Sequence, residues 1–139
     1  MNFSSDSKHF IATSSDNVAR VYDMNSKQVQ TLVGHSDDIN SAEFSPDCKF
    51  IVTGSSDFTV RVWDMQGKEL QVLPGHSATV MKVCFSNDGN YVLSASVDQT
   101  ARLMPWRVED VLHKINVEKV RGKVWELSEE DKKLYGIID

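Results

Sequence analysis

The sequence predicts an all-β protein built from four-stranded antiparallel units set side by side. Three observations predict it. A block of residues returns at a fixed step of 41 positions with no gap. Each block holds short runs of alternating or β-branched apolar residues. Turn-forming residues separate those runs at intervals of roughly 8–12 positions, the spacing of an all-β meander.

The repeat is explicit at named positions. Gly34-His35-Ser36 returns as Gly75-His76-Ser77, and Phe3-Ser4 returns as Phe44-Ser45 and Phe85-Ser86. Asp6, Asp47 and Asp88 follow those pairs at one offset. Ser14, Ser55 and Ser96 each stand two residues before Asp16, Asp57 and Asp98, and Arg20, Arg61 and Arg102 follow four residues later. Residues 3–33 match 44–74 at 14 of 31 positions, and residues 34–64 match 75–105 at 10 of 31. Repetition this regular marks a structural unit that buries its faces against copies of itself.

The middle unit shows the strands best. Ile39–Phe44 is apolar at near-alternate positions and runs into the turn Ser45-Pro46-Asp47. Phe50–Gly54 is rich in β-branched residues and ends at Ser55-Ser56-Asp57. Thr59–Trp63 alternates, Gln66-Gly67-Lys68 makes the next turn, and Glu69–Leu73 closes the unit. In the following unit Asn87-Asp88-Gly89-Asn90 is a hairpin signal.

Gly-His, an Asp at the tight turn and the Trp63-Asp64 pair, all in register, resemble the WD-repeat family of β-propellers. The resemblance covers residues 3–106. It implies a partial propeller of four-stranded blades, with units at about 1–33, 34–74 and 75–106. It also implies that each sequence repeat begins with the outermost strand of one blade and continues through the three inner strands of the next.

The same resemblance implies a hydrogen-bonded chain inside each blade, made by His35, Ser55, Asp57 and Trp63 and, in part, by His76, Ser96 and Asp98. Donor and acceptor chemistry is consistent with it. A buried carboxylate needs good hydrogen bonds. An imidazole donates at one nitrogen and accepts at the other, and an indole N–H needs an acceptor. The units differ in completeness. The first has Tyr22 at the Trp position and lacks Gly-His, and the third has Met104-Pro105 in place of Trp-Asp. Trp106, two residues on, lies about 7 Å further along the strand and is not expected to substitute.

Ser, His and Asp together also suggest a hydrolase triad. A nucleophile site occurs once per domain, whereas these residues recur with the repeat, and no G-x-S-x-G elbow is present. His35, His76, Asp57 and Asp98 have no metal-site spacing. Cys48 and Cys84 form no C-x-x-C pair and are expected to be reduced thiols. No catalytic, cofactor or metal residue is therefore assigned. Net charge is −5 and the pI about 5.3, which gives no basic field for nucleic acid. No signal-peptide pattern or membrane-spanning run is present, so a cytoplasmic location is expected.

Strands for about two and a half blades fall short of the roughly four to eight that close a propeller. The first unit opens at the turn before its second strand, so its innermost strand is expected to be missing. The remaining blades are expected in the same or another chain, with the present sequence a C-terminal fragment of a larger protein. Self-association into a ring and an open stack are the alternatives.

Residues 107–139 hold 15 charged residues of 33 and depart from the repeat. Val108, Val111, Leu112 and Ile115 fall on one helical face. Lys123–Leu127 is a candidate outer strand for the last blade, and Ser128 a candidate helix cap. The segment reads as a mainly helical cap on the array, with partner docking as the alternative. A propeller with such a tail loosely resembles the C-terminal propellers of bacterial multidomain proteins.

Function is expected to be non-catalytic protein–protein interaction. Asp37, Asp38, Ser56, Ala78 and Thr79, beside the Gly-His loops and tight turns, are the candidate rim for a protein or peptide partner. The two aspartates favour a basic one. The alternative is the sensor propeller of a larger signalling NTPase or protease-type enzyme, although no Walker motif occurs in these residues.

Overall fold

The computed structural model describes residues 1–106 and 125–126. They form three four-stranded antiparallel sheets, the blades. The first blade contains β1 (Asn2–Phe3), β2 (His9–Thr13), β3 (Val18–Asp23) and β4 (Gln28–Val33) in sequence order. The second contains β5 (Ile39–Phe44), β6 (Phe50–Ser55), β7 (Val60–Asp64) and β8 (Glu69–Leu73). The third contains β9 (Val80–Phe85), β10 (Tyr91–Ser96), β11 (Ala101–Pro105) and β12 (Trp125–Glu126).

The repeat carries through to the register. Phe10 pairs with Tyr22, Ile51 with Trp63, and Val92 with Met104, so each pair lies one repeat beyond the last. Innermost strands β5 and β9 bring the blades together. Ile11, Ala19, Val21 and Leu32 of the first blade pack with Ile39, Ala42, Phe44, Ile51 and Trp63 of the second. Val52, Val60 and Val62 point the other way and meet Val80, Val83, Phe85, Val92, Met104 and Trp106. The second blade is thus covered on both faces, which is why β6 is buried from Ile51 to Ser55. Gly54 sits where the second and third blades approach closely. A Cβ there would lie 2.7 Å from both Val80 Cγ1 and Val83 Cγ1.

The turn chemistry repeats as well. Ser4, Ser45 and Ser86 each donate a hydroxyl to Asp6, Asp47 and Asp88. Each Ser oxygen also accepts the backbone N–H that opens or precedes the next strand, from His9, Phe50 and Tyr91. The Phe-Ser-x-Asp element of the sequence is therefore a hairpin device.

One difference from the sequence reading stands out. The innermost strand of the first blade is present in short form. Asn2 and Phe3 pair with Ile11 and Phe10, and Asn2 Nδ2 donates to the Ala42 carbonyl of the next blade at 2.8 Å. Two residues suffice because one side chain ties them to the neighbouring sheet. Of the candidate outer strand Lys123–Leu127, Trp125–Glu126 are described, and their backbone pairs with Leu103 and Arg102 on the outer side of β11, as expected. The helices expected in the tail lie outside the described residues.

Candidate functional site

The polar chain of the second blade begins at His35, in the loop between β4 and β5. Trp63 Nε1 donates to Thr53 Oγ1 at 2.9 Å, and Thr53 Oγ1 lies 2.6 Å from His35 Nε2. His35 Nδ1 lies 2.8 Å from Asp57 Oδ2. The protons follow from the donor inventory. The indole can only donate, so the Thr53 hydroxyl gives its own proton to Nε2, and Nδ1–H faces the carboxylate. Burial lowers the His35 pKa despite the hydrogen bond to Asp57, so the ring is held neutral.

Asp57 ends the chain at the β6–β7 turn. It accepts from His35, from the Ser36 N–H at 3.1 Å, and from both the N–H and hydroxyl of Thr59 at 2.9 and 2.6 Å. Burial alone would raise its pKa. The hydrogen bonds from Thr59 and His35, with the backbone N–H groups of Thr59 and Ser36, outweigh it and hold the carboxyl well below the usual range. Arg61 stands 3.7 Å from Asp57 and pairs with Glu69 at 3.0 Å. Gly34 leaves room for this packing, because a Cβ there would meet Glu69 Oε2 at 2.7 Å and Trp63 Cη2 at 3.0 Å.

The structure thus brings His35, Asp57 and Trp63 together but puts Thr53, not Ser55, between His and Trp. The register explains the correction. Trp63 lies opposite Ile51, so Thr53 is two residues along on the same face. Ser55 is four residues along, about 13 Å, beyond reach of the indole. Ser55 instead donates to the Asp37 carbonyl at 3.0 Å and accepts the Asp57 N–H at 3.0 Å. It fastens the Gly-His loop to the tight turn.

The third blade repeats the arrangement with one member lost. His76 Nδ1 lies 2.9 Å from Asp98 Oδ2, and His76 Nε2 lies 2.6 Å from Ser94 Oγ. Ser96 is displaced from the chain like Ser55. It donates to the Ala78 and Thr79 carbonyls and accepts the Asp98 N–H. Burial would raise the Asp98 pKa, but Thr100 and His76 hydrogen bonds overcome it and lower it. Met104 stands at the Trp63 position and has no N–H to give Ser94. Trp106 donates instead to the Gly89 carbonyl at 2.8 Å and packs edge-on against Phe50.

The first blade has none of the chain. Ala12 and Tyr22 occupy the Thr53 and Trp63 positions. Tyr22 stacks on Phe10 with centroids 5.1 Å apart. Asp16 pairs with Arg20, whose hydrogen bond is the main cause of a pKa lowered to about 2.

Sequence reasoning missed Thr53 and Ser94. The available signal was that positions 53 and 94 both carry hydroxyls on the face shared with Trp63 and Met104, whereas position 12 carries Ala. The Ser94–His76–Asp98 order matches a triad, but Ser94 is only 1% exposed. Among the described residues no group of three His, Cys, Asp or Glu could hold a metal ion.

The outer consequence of these chains is a fixed end of the blades. Asp37 and Asp38 are exposed there, while Ser56, Ala78 and Thr79 are half-buried. Ser56 N–H donates to the Asp38 carbonyl at 2.8 Å, and Val97 N–H to the Thr79 carbonyl at 2.9 Å. The five candidate rim residues therefore share one end of the second and third blades.

The family described as WD domain, G-beta repeat, matches residues 1–23, 26–64 and 67–103. The second match runs across a blade boundary, from the β4 region of the first blade through β5, β6 and β7 of the second. That is the offset between sequence repeat and blade which the resemblance implied. No curated protein matches the chain.

Proposed function

The chain belongs to the WD domain, G-beta repeat family, whose members generally serve as protein-interaction scaffolds, and on that premise we propose that it is a non-catalytic scaffold. One observation carries the reading. The buried chain Trp63–Thr53–His35–Asp57, with Ser55 beside it, is devoted to holding the loop 34–38 and the turn 55–59 in one place. Its hydroxyls are sealed from substrate, whereas the loop presents Asp37 and Asp38 to solvent. Fixed loops with exposed side chains bind without paying an ordering cost at the moment of association.

A photo-crosslinking residue placed at Asp38 tests this, with one at Lys49 as the comparison. Protein adducts at 38 that vanish on Asp37→Lys/Asp38→Lys are expected. Equal labelling at 49, or adducts that survive the charge reversal, would remove the rim from the proposal.

A second reading concerns the remaining blades. Phe44, Ile51 and Trp63 pack on the preceding blade, as do Phe85, Val92 and Met104. By the same step, Phe3, Phe10 and Tyr22 form the matching face of the first blade, where Phe3 is exposed and Phe10 and Tyr22 are half-buried. This face suits another blade with branched aliphatic residues, from the same or another chain, or from self-association. Light scattering on wild type and Phe10→Asp distinguishes association through this face, which the charge should abolish, from a face filled within the chain.

A further inference from the structure

The repeat permits a comparison that points to a partner's chemistry. In the second blade Asn40 Nδ2 donates to Ser56 Oγ at 3.0 Å and to the Val80 carbonyl at 3.1 Å. The equivalent residues of the third blade are Met81 and Val97. A polar pair that bonds to itself is thus replaced by two apolar side chains, 52% and 60% exposed. Folding gains little from them there, since they remain in water.

Phe58 adds an independent anomaly on the adjoining turn. Its φ is +73°, and the equivalent residues Asn17 and Gln99 have φ of +66° and +70°. Asn is the polar residue best suited to this left-handed conformation, whereas a bulky aromatic there is strained. Phe58 accepts that strain while 45% exposed. A strained backbone at a side chain this exposed fits a role in contact.

These positions share one end of the second and third blades, with Phe58 two residues beyond Ser56 on the β6–β7 turn. Asn40 bridges Ser56 to Val80, next to Met81, and the Val97 N–H bonds to Thr79. Asp37 and Asp38 border it on the Gly-His loop. Among the described residues neither carboxylate is in an ion pair. Apolar side chains edged by unpaired negative charge complement a segment of the opposite pattern.

We propose that this end of the second and third blades binds a protein segment in which a Lys or Arg is flanked by apolar side chains. Phe58, Met81 and Val97 take the apolar groups, and Asp37 and Asp38 take the cation. The inference rests on the scaffold reading and names the partner class for that rim.

The test selects phage-displayed random short peptides on the full chain and measures the winners by fluorescence anisotropy. Two variants return the surface to the chain's own alternatives, Phe58→Asn and Met81→Asn/Val97→Ser. Asp37→Lys/Asp38→Lys removes the charge. Enriched peptides should pair a basic residue with Leu, Ile, Phe or Met, and each of the three variants should weaken them about tenfold or more. Phe58→Asn should at the same time raise the thermal midpoint, which separates lost contact from lost fold. Peptides that bind both apolar variants as wild type but lose binding on charge reversal would overturn the inference and leave the rim intact. Acidic or purely polar winners would overturn it too. No enrichment at all would count against both readings.

Discussion

The second and third blades share His, a strand hydroxyl, Asp, Thr and Arg at the same repeat positions, yet they end their polar chains differently. In the second, Thr53 receives the Trp63 indole and contacts His35. In the third, Ser94 contacts His76, Met104 stands at the Trp63 position, and Trp106 is committed to Gly89. In the second blade Arg61 is also held between Asp57 and Glu69. It has a blade on each side, with β6 buried almost throughout. The contrast shows how one repeat can be spent in two ways. The second blade carries the complete network and a polar surface pair, Asn40–Ser56. The third carries a shortened network and exposed Met81 and Val97.

The largest effect should come from the carboxylates. Asp57→Ala strands His35 and the Ser36 and Thr59 donors and leaves Arg61 with Glu69 as its ion-pair partner, at a cost of about 3–4 kcal/mol. Asp98→Ala strands the corresponding His76, Ser77 and Thr100 groups. It should cost about 1 kcal/mol less, because the chain behind it is shorter. Equal thermal midpoints for the two variants would erase the difference between the blades.

Trp63→Met makes the second blade copy the third. Losing a fully buried indole and its hydrogen bond should cost about 2–3 kcal/mol in denaturant unfolding. A loss well under that would mean that the indole packs without anchoring. Thr53→Val should cost about 1–2 kcal/mol, since it leaves both the indole and the imidazole without the hydroxyl. Ser55→Ala should cost under about 1 kcal/mol and act on the turn alone. The reverse ranking would return Ser55 to the chain.

The smallest effect concerns pH. The His35 pKa is lowered on folding, so its contribution is present above the unfolded value and is lost as pH falls below about 6.5. Asp57 and Asp98 are lowered too, and their contribution fades only below about 4. Asp57, Arg61 and Glu69 are the charged groups around the imidazole. Between pH 7.5 and 5.5 the midpoint should fall in wild type and fall less in His35→Gln. Parallel slopes would show that His35 does not set this window.

Much of this was legible in the sequence because the repeat is spaced without gaps. Most strand positions and the identities of His35, Asp57 and Trp63 follow from local pattern, whereas the count of about two and a half blades fell short of the three four-stranded sheets observed. The Thr53–Ser55 distinction did not, because it depends on which residue of β6 stands opposite Trp63, and only the register supplies that. β1 was missed because two residues are too few to show alternation, and a hydrogen bond to the next blade holds them. The special character of Phe58 required the backbone angle. The aligned Asn17 hinted at it, but hydrophobicity alone reads Phe58 as core.

Native-state hydrogen exchange tests the difference between the blades most directly. Amides of β6 and β7 should exchange through larger openings than those of β10 and β11, with Trp63→Met bringing the two regions together. Equal protection in wild type, or greater protection in the third blade, would contradict the claim that the completed Trp63–Thr53–His35–Asp57 chain makes the second blade the rigid center of the molecule.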